Sequence, residues 1–321
     1  MSKTGVLFIN CGDVAGADTW VHAQLVRHLD RSRFEVHAAC APARSGVLPP
    51  VTAKLMEIPD TALVPTDFGP TFFNRGKLEK LAGLPRFLPA AASMLSLARY
   101  VRARRIRVVH SIDRPRDALA CAVLARLTGA RCVIHVHVKF DDWMGRGVRW
   151  AFSRADALLG VSEYVAATLV RGGYPKERTH AVLNGIPEGE WTPRDERASV
   201  RTELGLPPDA PLVLSASRLF RWKGHHELIA AFGQALPKVP GAHLVIAGSD
   251  YPPGSGTSRE LQAQARGAGL GDRVHLIGER KDMARLLPAC DGFAQASFEE
   301  PFVLVIAEAM AMEHPVIALR T

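Results

Sequence analysis

The most constraining feature of this sequence is a regular alternation of short apolar runs with helical patterns through its second half. The apolar runs predict strands, which in chain order are 212–216, 243–247, 273–277, 292–296 and 316–319. Amphipathic or apolar helical patterns between them predict helices near 228–236, 258–267, 283–287 and 302–312. Because strand–helix–strand units cross over right-handedly, this order predicts a doubly wound α/β domain with a parallel sheet.

The first half of the chain repeats the alternation with a longer interruption. A helix is predicted over 20–29, and the predicted strands are 6–10, 35–39, 108–111, 132–136 and 158–161. Residues from about 40 to 71 are rich in proline and are predicted to form a loop. The first half therefore predicts a second Rossmann-like sheet.

A polar, proline-rich stretch at 187–196 separates the two halves, and a further turn signal follows at 207–211. We predict two domains, 1–187 and 188–321, that face each other across a cleft. Open α/β sheets bind ligands beyond the carboxyl ends of their strands, so this cleft is the expected site.

The composition narrows the class of protein. Of the 321 residues, 47% are hydrophobic and 22% are charged, which disfavours disorder. The five cysteines form no Cys-x-x-Cys pair, which favours neither a zinc site nor a disulfide framework and suits a cytoplasmic protein. No apolar stretch reaches the ~18 residues of a membrane helix, and no export signal is expected. The net charge of +8 favours an anionic partner.

A basic loop follows the first strand of the second half. It reads Ser-Arg-Leu-Phe-Arg-Trp-Lys-Gly at 217–224, with Arg218 and Lys223 five positions apart. A strand-to-helix loop presents free backbone N–H groups, so these two cations predict a site for an anion such as a diphosphate. The loop matches neither the Walker pattern nor the dinucleotide-binding glycine pattern. The alternative is a solvated basic turn.

Two carboxylates flank the last predicted helix. Glu300 precedes an apolar run and Glu308 interrupts it. If the segment were helical throughout, the two would lie up to roughly 12 Å apart along the axis, beyond the ~5–9.5 Å of paired glycosidase carboxylates. We therefore expect them to bind separate hydroxyl groups. The alternative is a helix-terminal charge at Glu300 and an edge residue at Glu308.

These motifs carry a family resemblance. They are Ser-Arg-Leu-x-x-x-Lys-Gly at 217–224, Leu-Val-Ile-Ala-Gly at 244–248, Val-x-Leu-Ile-Gly at 274–278, Glu-x-Phe and Glu-Ala-Met-Ala within 300–311, and Pro-Val-Ile-Ala at 315–318. In this order they resemble the nucleotide-sugar domain of retaining glycosyltransferases of the GT-B fold, family 4. Shorter motifs resemble the acceptor-side domain of that family; they begin at Gly16, Val108, His135, Asp156 and Leu183.

The resemblance implies roles for four residues of the second domain. Arg218 and Lys223 would hold the diphosphate of a nucleotide-sugar donor and stabilise the leaving nucleoside diphosphate. Glu308 would bind the ribose hydroxyls, and Glu300 would contact the transferred sugar. Because two cations can offset the diphosphate charge, the resemblance implies neither a divalent metal nor a further cofactor.

In the first domain, the resemblance implies that His137 lies against the donor sugar. It also implies that Gly16, which has no side chain, lets the backbone approach donor phosphate or acceptor. From the residues alone, His135 and His137 share strand parity and are expected to point to one face as core or hydrogen-bonded histidines. His225 and His226 begin a helix and are expected to be solvated.

A cluster of arginines at 102, 104, 105 and 107 precedes a predicted strand. We favour a solvated helix end there. The alternative is contact with an anionic membrane surface, to which the aromatic and basic stretch 72–80 would add. Nucleic acid is not an expected partner, because no recognised module is present and the basic residues are dispersed.

The sequence also departs from the family pattern. Val303, the Glu-His pair at 313–314 and the Ala-Gly pair at 15–16 stand where glycine is usual. Relatives continue past the Pro-Val-Ile-Ala strand, so the donor domain is expected to be incomplete at its carboxyl end.

The leading hypothesis is a retaining glycosyltransferase that moves a sugar from a nucleotide-diphosphate donor to a lipid, glycan or small-molecule acceptor. It would be cytoplasmic, with peripheral contact to the inner face of the membrane as an option. The alternatives are a non-catalytic nucleotide-sugar binding protein and a sugar-nucleotide epimerase of the same fold.

Overall fold

A computed structural model describes residues 3–12, 16–43, 46–69, 87–141, 144–187, 189, 191 and 196–320. The chain divides into two compact units, Met1–Asn184 and Gly185–Thr321. We describe each unit by itself.

The first unit contains a seven-stranded sheet in which every neighbouring pair is parallel. Its strands are β1 Thr4–Asn10, β2 Phe34–Cys40, β3 Thr61–Pro65, β4 Ile106–Ile112, β5 Arg131–Val136, β6 Ala157–Gly160 and β7 Thr179–Ala181. They lie in the order β3-β2-β1-β4-β5-β6-β7. The order reverses between β1 and β4, and the carboxyl ends of these two strands form the switch point at which such sheets bind ligands.

Helices connect the strands of the first unit. They are α1 Ala17–His28, α2 Pro50–Met56, α3 Phe87–Ala103, α4 Pro115–Thr128, α5 Arg146–Arg154 and α6 Glu163–Arg171. Local sequence sets several ends: Ser162 accepts a hydrogen bond from the Val165 amide at the start of α6, and Gly129, with φ 78°, ends α4.

The prediction of a loop from about 40 to 71 is wrong for the described part of that range. It contains α2, whose first residue is a proline, and β3, which pairs with β2. Proline is tolerated at the first helical position, and β3 lies at the sheet edge with a half-exposed pattern that hides its strand character. Residues 72–80, the predicted aromatic and basic stretch, lie outside the described residues.

The second unit contains a five-stranded parallel sheet in the order β10-β9-β8-β11-β12. Its strands are β8 Leu212–Ala216, β9 His243–Ala247, β10 Val274–Leu276, β11 Gly292–Gln295 and β12 Val316–Ala318. Its helices are α7 Arg197–Glu203, α8 His225–Ala235, α9 Thr257–Gly267, α10 Met283–Leu286 and α11 Leu304–Ala311. The predicted alternation is confirmed, and the switch point of this sheet lies between β8 and β11.

The core of the second unit has a layer on each face of its sheet. One layer packs Leu214 and Phe293 against α7, α10 and α11, and the other packs Leu244 and Ile246 against α8 and α9. Apolar residues thus point to both faces of the central strands, as in parallel sheets covered on both sides by helices.

Arg201 on α7 is a fully buried cation in this core. Its guanidinium donates to the carbonyl oxygens of Ala289, Pro207, Pro208 and Ala210 at 2.6–3.1 Å. It also donates to Asp291 Oδ2 at 2.9 Å, and that oxygen accepts the Leu212 amide at 2.8 Å. Arg201 therefore fastens α7 to the start of β8 and of β11.

None of the helices in the described segments is both long enough and apolar enough to traverse a lipid bilayer.

Candidate functional site

Two glycines let the loops at the switch point of the second sheet approach one another closely. Gly224 has a φ of 69°, and a Cβ there would lie 1.9 Å from the carbonyl oxygen of Ala296, which follows β11. A Cβ on Gly248, which follows β9, would lie 1.9 Å from the carbonyl oxygen of Ser217. Only glycine fits at either position, so the basic loop 217–224 is packed tightly between its neighbours.

Lys223 lies in a 3₁₀ turn, Arg221–Lys223, that leads into α8. Its Nζ donates a hydrogen bond to Glu300 Oε1 in the loop that follows β11. The two side chains are 14% and 11% exposed. The Phe298 amide also donates to the Trp222 carbonyl oxygen at 2.9 Å. The structure thus brings together two of the predicted site residues, Lys223 and Glu300, as an ion pair.

Arg218 has a different partner. Its guanidinium carbon lies 4.3 Å from the ring centroid of Tyr251, in the loop after β9. Phe220 and Trp222 line a cleft beside this pair. The two cations that the sequence predicts for one anion therefore rest on different supports in this structure, Arg218 on an aromatic ring and Lys223 on a carboxylate.

Glu308 projects from the middle of α11 and is half-buried. Within the described part of the chain, its carboxylate has no hydrogen-bond or ion-pair partner. Because burial penalises the charged form, the pKa of Glu308 is raised to about 7. Glu300 lies outside α11, which begins at Leu304, so the helical spacing considered for the two carboxylates does not apply.

The expectation that His225 and His226 are solvated is wrong. His225 is buried, with its Nε2 3.0 Å from Ser217 Oγ, and burial lowers its pKa to about 4. His226 is half-buried and lies 2.6 Å from Gln264 Oε1 through its Nδ1. Helical spacing carried a signal for His225, because Ile229 and Phe232 continue its row on the buried face of α8.

In the first unit, Gly16 precedes α1 beside an ion pair. Arg114, which follows β4, donates through Nε to Asp18 Oδ2 at 2.6 Å and through Nη2 to Asp18 Oδ1 at 2.9 Å. A Cβ on Gly16 would lie 2.8 Å from Asp18 Oδ1. A side chain at this position would therefore crowd the Asp18 carboxylate that joins α1 to the carboxyl end of β4.

A row of four imidazoles runs through the interior of the first unit. His22 Nε2 and His110 Nδ1 are 2.9 Å apart, and the rings of His135 and His137 have centroids 4.5 Å apart. His135 and His137 thus share one face, as their parity predicts. His135 is buried. Burial lowers the pKa of His137 to about 4 and that of His135 to about 2, so both rings are neutral at pH 7.

Asp113 joins this group and was missed from sequence. It follows β4, is buried, and its Oδ2 accepts the His137 amide at 3.1 Å. Burial raises its pKa to about 7. A charged residue directly after an apolar strand was the available signal, since that position lies at the ligand-binding edge of a parallel sheet.

No group of three or more His, Cys, Asp or Glu side chains in the described segments is arranged to hold a metal ion. Whether the protein acts without a metal stays a prediction.

Comparison with known proteins decides the family. The family described as Glycosyltransferase Family 4 matches residues 16–190, which is more than half of the chain. This chain belongs to glycosyltransferase family 4. A second family, described as Glycosyl transferases group 1, matches residues 196–321 of this chain.

Curated relatives of this family 4 chain include two with named activities. The D-inositol 3-phosphate glycosyltransferase of Xylanimonas cellulosilytica is 37% identical over 182 residues, which are 54% of this chain and 42% of that protein. The lipopolysaccharide core biosynthesis glycosyltransferase LpsE of Rhizobium meliloti is 34% identical over 122 residues, 38% of this chain and 33% of LpsE. The chain therefore matches less than half the length of either relative.

Among solved structures, Anabaena Alr3699/HepE in complex with UDP superimposes with a TM-score of 0.77 at 21% identity, covering 98% of this chain and 80% of HepE. This likeness shows the fold. The prediction of two Rossmann-like, doubly wound parallel-sheet domains of the GT-B class is confirmed for this family 4 protein.

Proposed function

We propose that this family 4 protein transfers a glycosyl group from a nucleoside-diphosphate sugar to a hydroxyl-bearing acceptor, with the donor bound to the second unit. The observation that carries the proposal is the contact of Lys223 with Glu300 at the switch point between β8 and β11. A phosphate-binding cation and a sugar-binding carboxylate would then lie side by side where a parallel sheet binds its ligand. The activities named for the two curated relatives support this function.

The proposed step breaks the bond between the anomeric carbon and the diphosphate oxygen. The electron pair leaves with the nucleoside diphosphate, and Arg218 and Lys223 stabilise the charge that develops there. The acceptor hydroxyl oxygen forms the new bond to the anomeric carbon, and its proton passes to the leaving nucleoside diphosphate. The family resemblance supports retention of the anomeric configuration.

Donor binding is proposed to exchange the partners of Lys223 and Glu300. An arriving diphosphate competes with Glu300 for Lys223, since both are anionic oxygen ligands of one ammonium group. Once Lys223 turns to the diphosphate, Glu300 is free to accept hydrogen bonds from the sugar hydroxyls. Donor binding and the release of Glu300 are in this way one event.

Glu308 suits the proposed ribose contact because of its protonation. With a pKa of about 7, it exists as both carboxyl and carboxylate near neutral pH, and it can donate to one hydroxyl or accept from two.

In the first unit, the neutral imidazole of His137 is proposed to face the donor sugar. Gly16 is proposed to let the backbone approach the acceptor or the donor phosphate.

The acceptor is proposed to be a polyol, a glycan or a lipid-linked glycan. The names of the two curated relatives, one for inositol 3-phosphate and one for lipopolysaccharide core, support a polyhydroxylated acceptor.

Contact with an anionic membrane surface is a second part of the proposal. It is supported by α3, where Leu88 and Leu95 are 79% and 50% exposed and exposed Arg102, Arg104 and Arg105 follow. The double substitution Leu88→Ser and Leu95→Ser is expected to reduce the amount of protein that sediments with phosphatidylglycerol vesicles. It is expected to leave the amount that sediments with phosphatidylcholine vesicles unchanged. The exposed Val239→Ser in the second unit is the control. Equal binding of both variants to anionic vesicles would exclude this surface.

The function is tested by incubating the purified chain with UDP-, GDP- and ADP-sugars and polyol or glycan acceptors. Release of nucleoside diphosphate with a new glycoside is the expected result. Binding without turnover would favour a nucleotide-sugar binding protein, and isomerised donor an epimerase. The same assay with a chelator tests the predicted independence from metal.

A matched pair of variants tests the donor site. Arg218→Ala is expected to weaken nucleoside diphosphate binding by about 1–3 kcal/mol, the usual cost of a lost charged hydrogen bond. Arg221→Ala is the control, because Arg221 lies in the same loop but forms an exposed pair with Glu227. Equal affinities for the two variants would place the anion elsewhere.

A further inference from the structure

Tyr251 is an exposed aromatic residue with a fixed place beside the donor loop. Its side chain is 46% exposed, and its ring carries the Arg218 guanidinium on one face, with the guanidinium carbon 4.3 Å from the centroid. Phe220 meets the same ring edge-on, at a centroid distance of 5.9 Å. None of the sequence motifs includes Tyr251.

Backbone hydrogen bonds set the position of this ring relative to the arginine. The Leu219 amide donates to the Ser249 carbonyl oxygen at 2.8 Å, and the Tyr251 amide donates to the Leu219 carbonyl oxygen at 3.2 Å. Asp250 accepts the amides of Gly256 and Ser258 at 3.1 and 2.7 Å, which secures the far side of the loop. Leu219, which follows Arg218, is thereby hydrogen-bonded to Ser249 and to Tyr251.

An aromatic support differs from a carboxylate in what it leaves free. A guanidinium held over a ring face keeps its charge, since the ring is not an anion, and it keeps the N–H donors that do not point at the ring for a further ligand. Lys223, by contrast, donates a hydrogen bond to Glu300, and the carboxylate of Glu300 offsets its charge. No carboxylate pairs with Arg218 in the described residues.

We propose that Tyr251 is a positioning residue that holds the Arg218 guanidinium over its ring and unneutralised, ready to bind the diphosphate of the donor. The inference rests on the proposed function and adds to it the residue that orders the arginine. Because the side chain is already held, less rotamer freedom is lost when the anion binds.

The test measures binding of UDP, GDP, ADP and inorganic pyrophosphate to the full chain by calorimetry. Tyr251→Leu is expected to weaken all four by about three- to tenfold, the range for a partly exposed cation–π contact. Tyr251→Phe keeps the ring face and is expected to bind like the wild type. Phe298→Leu is the matched control, because Phe298 is 48% exposed and lies 5.7 Å from the guanidinium carbon of a different arginine, Arg221.

A double-mutant cycle separates positioning from a general structural role. In the Arg218→Ala background, Tyr251→Leu is expected to have no further effect on pyrophosphate binding. An equal loss in both backgrounds would overturn the inference, as would a loss confined to the nucleotides, which indicates base stacking. Wild-type affinity in Tyr251→Leu would overturn it while leaving the proposed function standing, whereas a wild type that binds none of the four probes would overturn both.

Discussion

Lys223 and Glu300, 77 positions apart in the sequence, form an ion pair that joins the loops following β8 and β11. Both side chains are mostly buried. An ion pair in such surroundings persists only where its geometry offsets the loss of hydration, and removing one partner leaves the other charge uncompensated. The pair therefore couples the fold of the second unit to the charge of whatever binds there.

Glu300→Gln is expected to raise affinity for UDP, GDP or ADP by about threefold or more, because Lys223 loses its anionic competitor. Turnover with a donor sugar is expected to fall at least about tenfold, since the proposed sugar contact is weakened. Calorimetry and a transfer assay measure the two effects. Glu227→Gln, which alters an exposed pair in the same region, should change neither; weaker diphosphate binding in Glu300→Gln would contradict the proposed exchange of partners.

Gly224→Ala is expected to destabilise the second unit by at least about 2 kcal/mol more than Gly254→Ala. Both glycines have positive φ, 69° and 80°, and share a backbone strain of about 1–2 kcal/mol. Only at Gly224 would the new Cβ meet backbone, the Ala296 carbonyl oxygen. Denaturant unfolding compares the two variants, and equal losses of stability would show that the two loops can separate without cost.

Glu308 is expected to make the second unit less stable as pH rises from about 4.5 to 7. Its folded-state pKa, about 7, lies above the pKa of 4.5 that a glutamate has in an unfolded chain, so the folded state binds the extra proton in this window. The loss is up to about 3 kcal/mol and is complete above pH 7. Glu308→Gln should flatten the profile of unfolding free energy, whereas Glu313→Gln, at an exposed position, should keep it.

The buried imidazoles are expected to make the first unit sensitive to acid. The pKa of His135 is lowered to about 2 and that of His110 to about 3, from 6.5. The unfolded chain therefore binds more protons below pH 6.5, and stability present at pH 7 is lost on acidification. At pH 5 each histidine lowers the free energy of unfolding by about 2 kcal/mol relative to its value at pH 7.

Amide hydrogen exchange in β4 and β5, corrected for its intrinsic pH dependence, measures this loss. His135→Phe should remove one proton from the pH slope. His180→Phe, at an exposed position of β7, should not. A slope that His135→Phe leaves unchanged would mean that this ring is already protonated in the folded protein.

Much of the fold could be predicted from sequence, because the period of the apolar residues and the positions of glycine and proline act locally on the backbone. The strands of the second unit and the helices α8 to α11 are predicted within a few residues of their observed ends, whereas α7, Arg197–Glu203, is not predicted. The exceptions have tertiary causes. The edge strand β3 gains its hydrogen bonds only from β2, and α11 begins at Leu304 rather than 302 because Val303 is extended.

The site was only partly predictable, since its chemistry depends on contacts between distant residues. Motifs pointed to Arg218, Lys223 and Glu300, but their spacing could not show which side chain each cation rests on. The supporting Tyr251 lies outside every motif and reaches Arg218 through the pairing of two loops. The protonation of Asp113 depends on burial by many residues, which no local pattern encodes.

The buried guanidinium of Arg201 sets the minimum size of a separable donor-binding fragment. A piece beginning after α7 would lack the buried guanidinium that donates to four carbonyl oxygens and to the Asp291 carboxylate. The buried carbonyl oxygen of Ala289 would lose its partner, and the hydrogen bonds that join the turn at 207–210 to the Asp291 carboxylate through one guanidinium would be absent. Any excision of the second unit for ligand screening or crystallisation must therefore start ahead of Arg197.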